Sequence, residues 1–234
     1  MTDTTLVFAL YPNITQLDFT APYEVLRRLP GATVIVASRD GGTLVADSGL
    51  SFSGVARLDT IERCDLLCVP GGAGSATASL DRELLAQLRR LAGTARYLTS
   101  VCTGSLVLAA AGLITGKRAA CHWAWRDLLG EAGAIPDAGR VVRDGNLITG
   151  GGVTAGIDFA LTVAAELAGV EVAQSIQLSI EYDPAPPFNA GRPETAPPDV
   201  LRMVRERIAR VYPERKAAME HALRQAASSS DSAR

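Results

Sequence analysis

The stretch Tyr97-Leu98-Thr99-Ser100-Val101-Cys102-Thr103-Gly104-Ser105-Leu106-Val107-Leu108-Ala109-Ala110-Ala111-Gly112 constrains this chain more than any other. Its first half is aromatic, β-branched or apolar with no helical period, and reads as a buried strand. Its second half is small and aliphatic and stops at Gly112, as a buried helix does. A strand that turns at once into a helix lifts the turn residue above the sheet edge. This is the geometry of a nucleophile elbow, with cysteine where hydrolases carry serine. The start of the helix brings partial positive charge and free N–H groups to the sulfur, which favours the thiolate. Cys102 is therefore the candidate nucleophile. The competing reading, a small core hydrophobe, suits its polar and small flanks Ser100, Thr103, Gly104 and Ser105 less well.

The rest of the chain supplies the sheet around this elbow. Leu6 to Tyr11 reads as a central first strand and Ala32 to Ala37 as a second. Between them a helix is expected, capped by Thr20 or Ala21, with Pro22 in its first turn where a missing N–H costs little. Asp18 then lies just before that helix, and by itself reads as a capping carboxylate. Thr43 to Phe52 forms a short β excursion. Cys64 to Val69 is a buried strand that runs into Pro70-Gly71-Gly72-Ala73-Gly74. Such a turn lies at the carboxyl edge of an open α/β sheet, where ligands bind. It is neither a P-loop nor a dinucleotide fingerprint. Leu84, Leu85, Leu88 and Leu91 give an amphipathic helix over Asp81 to Gly93. Val141 to Thr149 reads as a hairpin turning at Asp144-Gly145, followed by a second glycine-rich turn, Gly150-Gly151-Gly152. Alternation of strands and helices predicts an α/β fold: a doubly wound, mostly parallel sheet flanked by helices.

The proline-rich stretch after Asp183 cannot be regular structure. The organisation expected is one α/β domain over 1–183, then an arm and a C-terminal helix over 184–227, broken near Pro213. Residues 228–234 read as a disordered tail. The formal charge of −2 and the lack of a Lys/Arg cluster disfavour nucleic acid. The apolar runs are short and interrupted, so no membrane span is expected. No signal sequence is apparent, and four cysteines without metal-like spacing suit a reducing cytoplasm. Cys64, Cys68 and Cys121 read as core residues.

Of the two histidines, His221 lies on a charged helix. His122 reads either as a ring packed beside Trp123 or as a group that approaches the site. Position 103 holds threonine, and no His-x-Glu pair occurs, so a Cys-His-Glu triad cannot be written. The chemistry then depends on a carboxylate, and Asp18 is the best-placed acid. Adjacent strand ends bring Asp18, Gly71-Gly72 and Cys102 together.

With those segments assembled, the chain resembles the ThiJ/PfpI superfamily, whose fold is related to the class I glutamine amidotransferases. The matching stretches include Gln16-Leu17-Asp18-Phe19-Thr20-Ala21-Pro22, Val69-Pro70-Gly71-Gly72, Cys102-Thr103-Gly104-Ser105, His122-Trp123-Ala124 and the arm Tyr182 to Gly191. Pro-Gly-Gly and a cysteine elbow mark only the superfamily, whereas Asp18 together with Cys102-Thr103-Gly104-Ser105 and the arm points to the isocyanide hydratase branch. Asp18 stands where many members carry Glu, and Thr103 where protease-like members carry His. The resemblance implies a homodimer, with no metal or organic cofactor, that hydrates a small isocyanide to an N-substituted formamide. In that chemistry Cys102 adds to the isocyanide carbon, Asp18 acts as acid and then base, and the backbone N–H groups of Gly72 and Thr103 stabilise charge. His122, Gly71, Gly151 and Gly152 stand behind them. Two other readings use the same thiol: a glyoxalase or deglycase acting on methylglyoxal, and a ligand or redox sensor.

Overall fold

The structure, a computed structural model, describes residues 4–231. In chain order the elements are β1 (Thr4–Leu10), α1 (Gln16–Leu26), β2 (Ala32–Ser38), β3 (Gly42–Val45), β4 (Ser51–Arg57), β5 (Leu66–Val69), α2 (Ser75–Ala78), α3 (Arg82–Ala92), β6 (Tyr97–Val101) and α4 (Gly104–Ala110). Then follow β7 (Arg118–Ala120), α5 (Arg126–Glu131), β8 (Ile135–Asp137), β9 (Val141–Asp144), β10 (Leu147–Gly150), α6 (Gly156–Ala168), α7 (Val170–Ser179) and α8 (Pro198–Asp231).

An 8-stranded sheet runs in the order β3-β4-β2-β1-β5-β6-β10-β9. Its central strands are parallel, and only the edge pairs β3–β4 and β9–β10 are antiparallel. β1, β5 and β6 are buried on both faces, which is why they read as continuous apolar runs. From β1 the chain crosses to β2 on one side; from β5 it crosses to β6 on the other. Right-handed crossovers therefore put α1 and α3 on opposite faces. α6 joins α1, and α4 joins α3. The turn of the doubly wound order falls between β1 and β5, and β6 is the next strand along. The carboxyl ends of these three neighbours carry Tyr11, Pro70-Gly71-Gly72 and Cys102.

Several local expectations change. α1 begins at Gln16, with Thr15 as its N-cap, so Pro22 lies inside the helix. There it withholds the N–H that would bond the Asp18 carbonyl. Asp18 is the third residue of α1, not a cap before it. The sequence placed the cap at Thr20 or Ala21; the helix instead starts five residues or more earlier, after Thr15. The hairpin loop is Gly145-Asn146, with Asp144 paired to Leu147. Gly145 takes the positive φ of 63° that this turn needs. α8 is unbroken at Pro213. Its second half is anchored by packing, with Met219 and Ala222 buried, while the first half is largely exposed. The expected tail over 228–234 falls partly on the end of this helix and partly, from 232, outside the described residues. Residues 183–197 form an arm without helix or strand, with a turn in which the Thr195 and Ala196 N–H groups donate to the Arg192 carbonyl.

Candidate active site

Cys102 sits at the tip of the turn between β6 and α4 with φ 57°. This left-handed conformation is unfavourable for a residue with a Cβ, by about 1–3 kcal/mol, and marks a turn imposed by its surroundings. Both flanks are fastened. The Cys102 N–H donates to the Gly150 carbonyl at 3.0 Å, and the Ser105 hydroxyl donates to the Cys102 carbonyl at 3.0 Å. The next residue but one must be glycine: a Cβ on Gly104 would lie 2.0 Å from the Val69 carbonyl oxygen. That close approach brings the start of α4 down onto the end of β5.

Asp18 reaches the same point from α1. It is fully buried, and neither carboxyl oxygen has a well-formed hydrogen-bond partner among the described residues. Burial pushes its pKa up from 3.8 to about 7. The Cys102 thiol and the Gly71 N–H lean on the carboxylate and partly oppose this rise. Gly71 is the spacer between the groups. A Cβ there would meet the Thr103 nitrogen at 2.5 Å and Asp18 Oδ2 at 2.7 Å.

The thiol behaves otherwise than the start of a helix alone suggests. Cys102 is buried, and burial followed by the negative charge of Asp18 raises its pKa well above the usual thiol value. The Thr103 N–H pulls the other way but is outweighed. The resting group is a thiol beside an acid that titrates near neutrality. The reason is dielectric: the dipole of a two-turn helix does not offset removal of the sulfur from water.

The two expected backbone donors diverge. The Thr103 N–H faces the sulfur, whereas the Gly72 N–H donates to the Thr103 hydroxyl at 2.9 Å. Gly71, expected only in support, instead presents its N–H to Asp18. His122 is a packed ring: Nδ1 accepts from the Ala124 N–H at 3.2 Å, and the ring stacks on Trp123 at 5.7 Å. Burial, and then Arg215 and Arg126, lower its pKa and keep it neutral. Gly152 packs against this ring, with a Cβ there 3.5 Å from His122 Cδ2. The Gly151 N–H donates to Arg140. Cys64 and Cys68 are core thiols, raised to about 11 and about 12 by burial. Cys121 is equally buried but lies against Cys102 electrostatically.

Two residues escaped the sequence reading. Tyr11, at the end of β1, donates its hydroxyl to the Pro70 carbonyl at 2.7 Å and is coupled to both Asp18 and Cys102. Its place at the end of the first strand was a usable signal. Arg215, on α8, had none. Its guanidinium lies 4.2 Å from the Trp125 ring centroid, and its charge is felt by Cys102, Tyr11 and Cys121. α8 is clamped over this corner. Tyr212 stacks on Trp125 at 5.8 Å and donates to Asp127, and Lys216 pairs with Glu131 at 2.7 Å.

Known proteins include relatives of this chain. The chain is 52% identical over 202 residues to an isonitrile hydratase of Pseudomonas putida, covering 86% of this chain and 89% of that one. It is 32% identical over 172 residues to the protein dj-1beta of Drosophila melanogaster, covering 71% of this chain and 91% of that one. A crystal structure of a ThiJ/PfpI family protein from Pseudomonas syringae superimposes with a TM-score of 0.90 at 41% identity, covering 94% of this chain and 91% of that one. Residues 4–166 match the DJ-1/PfpI family, and the chain belongs to that family.

Proposed function

We propose that this protein is an isocyanide hydratase, a lyase that adds water to R–N≡C and releases R–NH–CHO. The observation that carries the reading is the partner of the elbow cysteine: a buried carboxylic acid with a pKa near 7, not a histidine. Hydrolysis of an ester or amide needs a base to assist attack on an already electrophilic carbon. An isocyanide carbon bears a lone pair and must be protonated before or as a nucleophile adds. A carboxyl group able to hold and give a proton at neutral pH meets that need. The isonitrile hydratase relative supports the same substrate class.

The proton inventory then closes. Asp18, as carboxylate, takes the proton of the Cys102 thiol. The sulfur adds to the isocyanide carbon while Asp18 delivers that proton to the same carbon, giving the thioimidate R–N=CH–S–Cys102. The Thr103 N–H steadies charge on the sulfur. Asp18 next takes a proton from water as the oxygen adds to the imidoyl carbon, and passes it to nitrogen. Loss of the hydroxyl proton and cleavage of the C–S bond release the formamide and restore the thiol. Neither step changes an oxidation state of the protein.

Incubation with p-nitrophenyl isocyanide, with formamide release followed by chromatography, tests the reading. Turnover that disappears in Cys102→Ala is the expected result. An equal rate in that variant, or faster turnover of methylglyoxal than of the isocyanide, rejects it.

A homodimer in the cytoplasm completes the proposal. Leu178 and Phe188 are 82% and 80% exposed, at the end of α7 and on the arm, and have apolar surface to cover. No helix among the described residues is long and apolar enough to cross a membrane. Sedimentation equilibrium checks the assembly, and a monomer at micromolar concentration would reject it.

A further inference from the structure

Arginines converge on one cavity beside the reactive cysteine. The cavity measures about 590 Å³ and is bounded on one side by Cys121, His122 and Gly152. The arm contributes Arg192 and Glu194 to its lining. Arg126 and Arg140 are the other arginines of the lining, and Glu194 is its one carboxylate.

These guanidiniums differ in their commitments. Arg140 is bonded to Asp158 at 2.5 Å and to the Thr154 carbonyl at 2.7 Å. Arg126 and Arg192 make no ion pair and no side-chain hydrogen bond among the described residues. Arg126 Nε is moreover buried without an acceptor. The carboxylate that feels Arg126, Asp137, is itself bonded to Arg118. A buried guanidinium N–H without an acceptor is costly, and a bound group that accepts from it removes the cost. Cys121 belongs both to this lining and to the surroundings of the catalytic corner, where its thiol meets the Ser105 hydroxyl and its charge is felt by Cys102.

We infer that this cavity is an anion-binding subsite for the substituent of the substrate, and that the enzyme prefers isocyanides bearing a carboxylate to their uncharged counterparts. The inference rests on the hydratase reading above. In it, Arg126 and Arg192 donate to the carboxylate, and the isocyano end points toward Cys102. A guanidinium fork matches two carboxylate oxygens, which fixes orientation as well as affinity.

The test uses matched pairs of two lengths: isocyanoacetate with its methyl ester, and 4-isocyanobenzoate with its methyl ester. The expected result is a kcat/KM ratio of carboxylate to ester above one for at least one pair, falling as salt is raised. Arg126→Gln and Arg192→Gln should each lower that ratio about tenfold to a hundredfold, the range for a hydrogen bond to a charged group. Arg126→Lys should retain part of it. A ratio at or below one for both pairs, or a ratio unmoved by both glutamine variants, overturns the subsite and leaves the hydratase intact. If neither the esters nor p-nitrophenyl isocyanide is hydrated, the functional reading itself falls. Should a variant fail to fold, the ratio in the parent and its salt dependence still decide.

Discussion

After burial, the Asp18 carboxylate is the strongest influence holding Cys102 protonated, and the Cys102 thiol is the strongest counterweight to the desolvation of Asp18. In the proposed reaction this pair passes one proton between oxygen and sulfur, with no histidine between them.

Stability and activity should therefore diverge in Asp18→Asn. A rise from 3.8 to about 7 means the folded state binds a proton more tightly than the unfolded chain does. Stability then falls as pH rises from about 4 to above 7, by up to ~4 kcal/mol, because ionised Asp18 must stay buried. Asparagine removes that penalty. The variant should unfold at a higher temperature than the parent at pH 8 and at a similar one at pH 4. Hydration should drop about 10²- to 10⁴-fold, the usual range for loss of an acid–base group. Calorimetry at the two pH values checks the sign, and a parent that is more stable than the variant at pH 8 refutes it.

The pH profile follows from the same pair. The productive form holds one proton, with Asp18 ionised and the thiol intact. Protonation of Asp18 removes the acceptor for the thiol proton, so kcat/KM should rise as pH passes about 7. Because burial lifts the Cys102 thiol well above its ordinary value, no second rise near pH 8.5 is expected from thiol ionisation. Rates with a neutral isocyanide from pH 5 to 10, corrected for uncatalysed acid hydration, give the profile.

Gly71→Ala should disable the site from its centre. The added methyl group meets the Thr103 backbone and the Asp18 carboxyl at distances no Cβ tolerates. Overpacking of this kind costs about 1–3 kcal/mol, and it separates Asp18 from Cys102. The expected outcome is a folded protein with hydration reduced more than tenfold, seen by circular dichroism and initial rates together.

Arg215→Gln tests the reach of α8. The guanidinium attracts charge on Cys102 across the site, so its loss should slow alkylation of Cys102 by iodoacetamide and move the midpoint of that reaction to higher pH. Arg215→Lys should recover part of the shift. A merely structural role would leave the midpoint where it is.

The chemistry of the elbow was legible locally. Glycine two residues after a cysteine, a buried strand before it and an apolar helix after it are facts about neighbours in sequence. Gly71 was legible in the same way, as part of a turn at a strand end, and so was the leucine stripe of α3, all four of whose leucines are buried. The sequence by itself thus determined the α/β class and which cysteine and carboxylate were the candidates to meet at the strand ends.

What the acid and the thiol do was decided only in three dimensions. Whether Asp18 caps a helix or stands unbonded beside Cys102 depends on where α1 begins and what closes over it. The helix start promised a thiolate; burial reversed that, because desolvation is set by segments distant in sequence. The Gly72 N–H turned to the Thr103 hydroxyl, and His122 turned inward to cap the turn at Ala124. Arg215 and Arg192 come from residues beyond the stretch that matches the family. Local pattern fixes which groups a chain carries, whereas proton affinity and charge pairing belong to the packed molecule, where water is excluded.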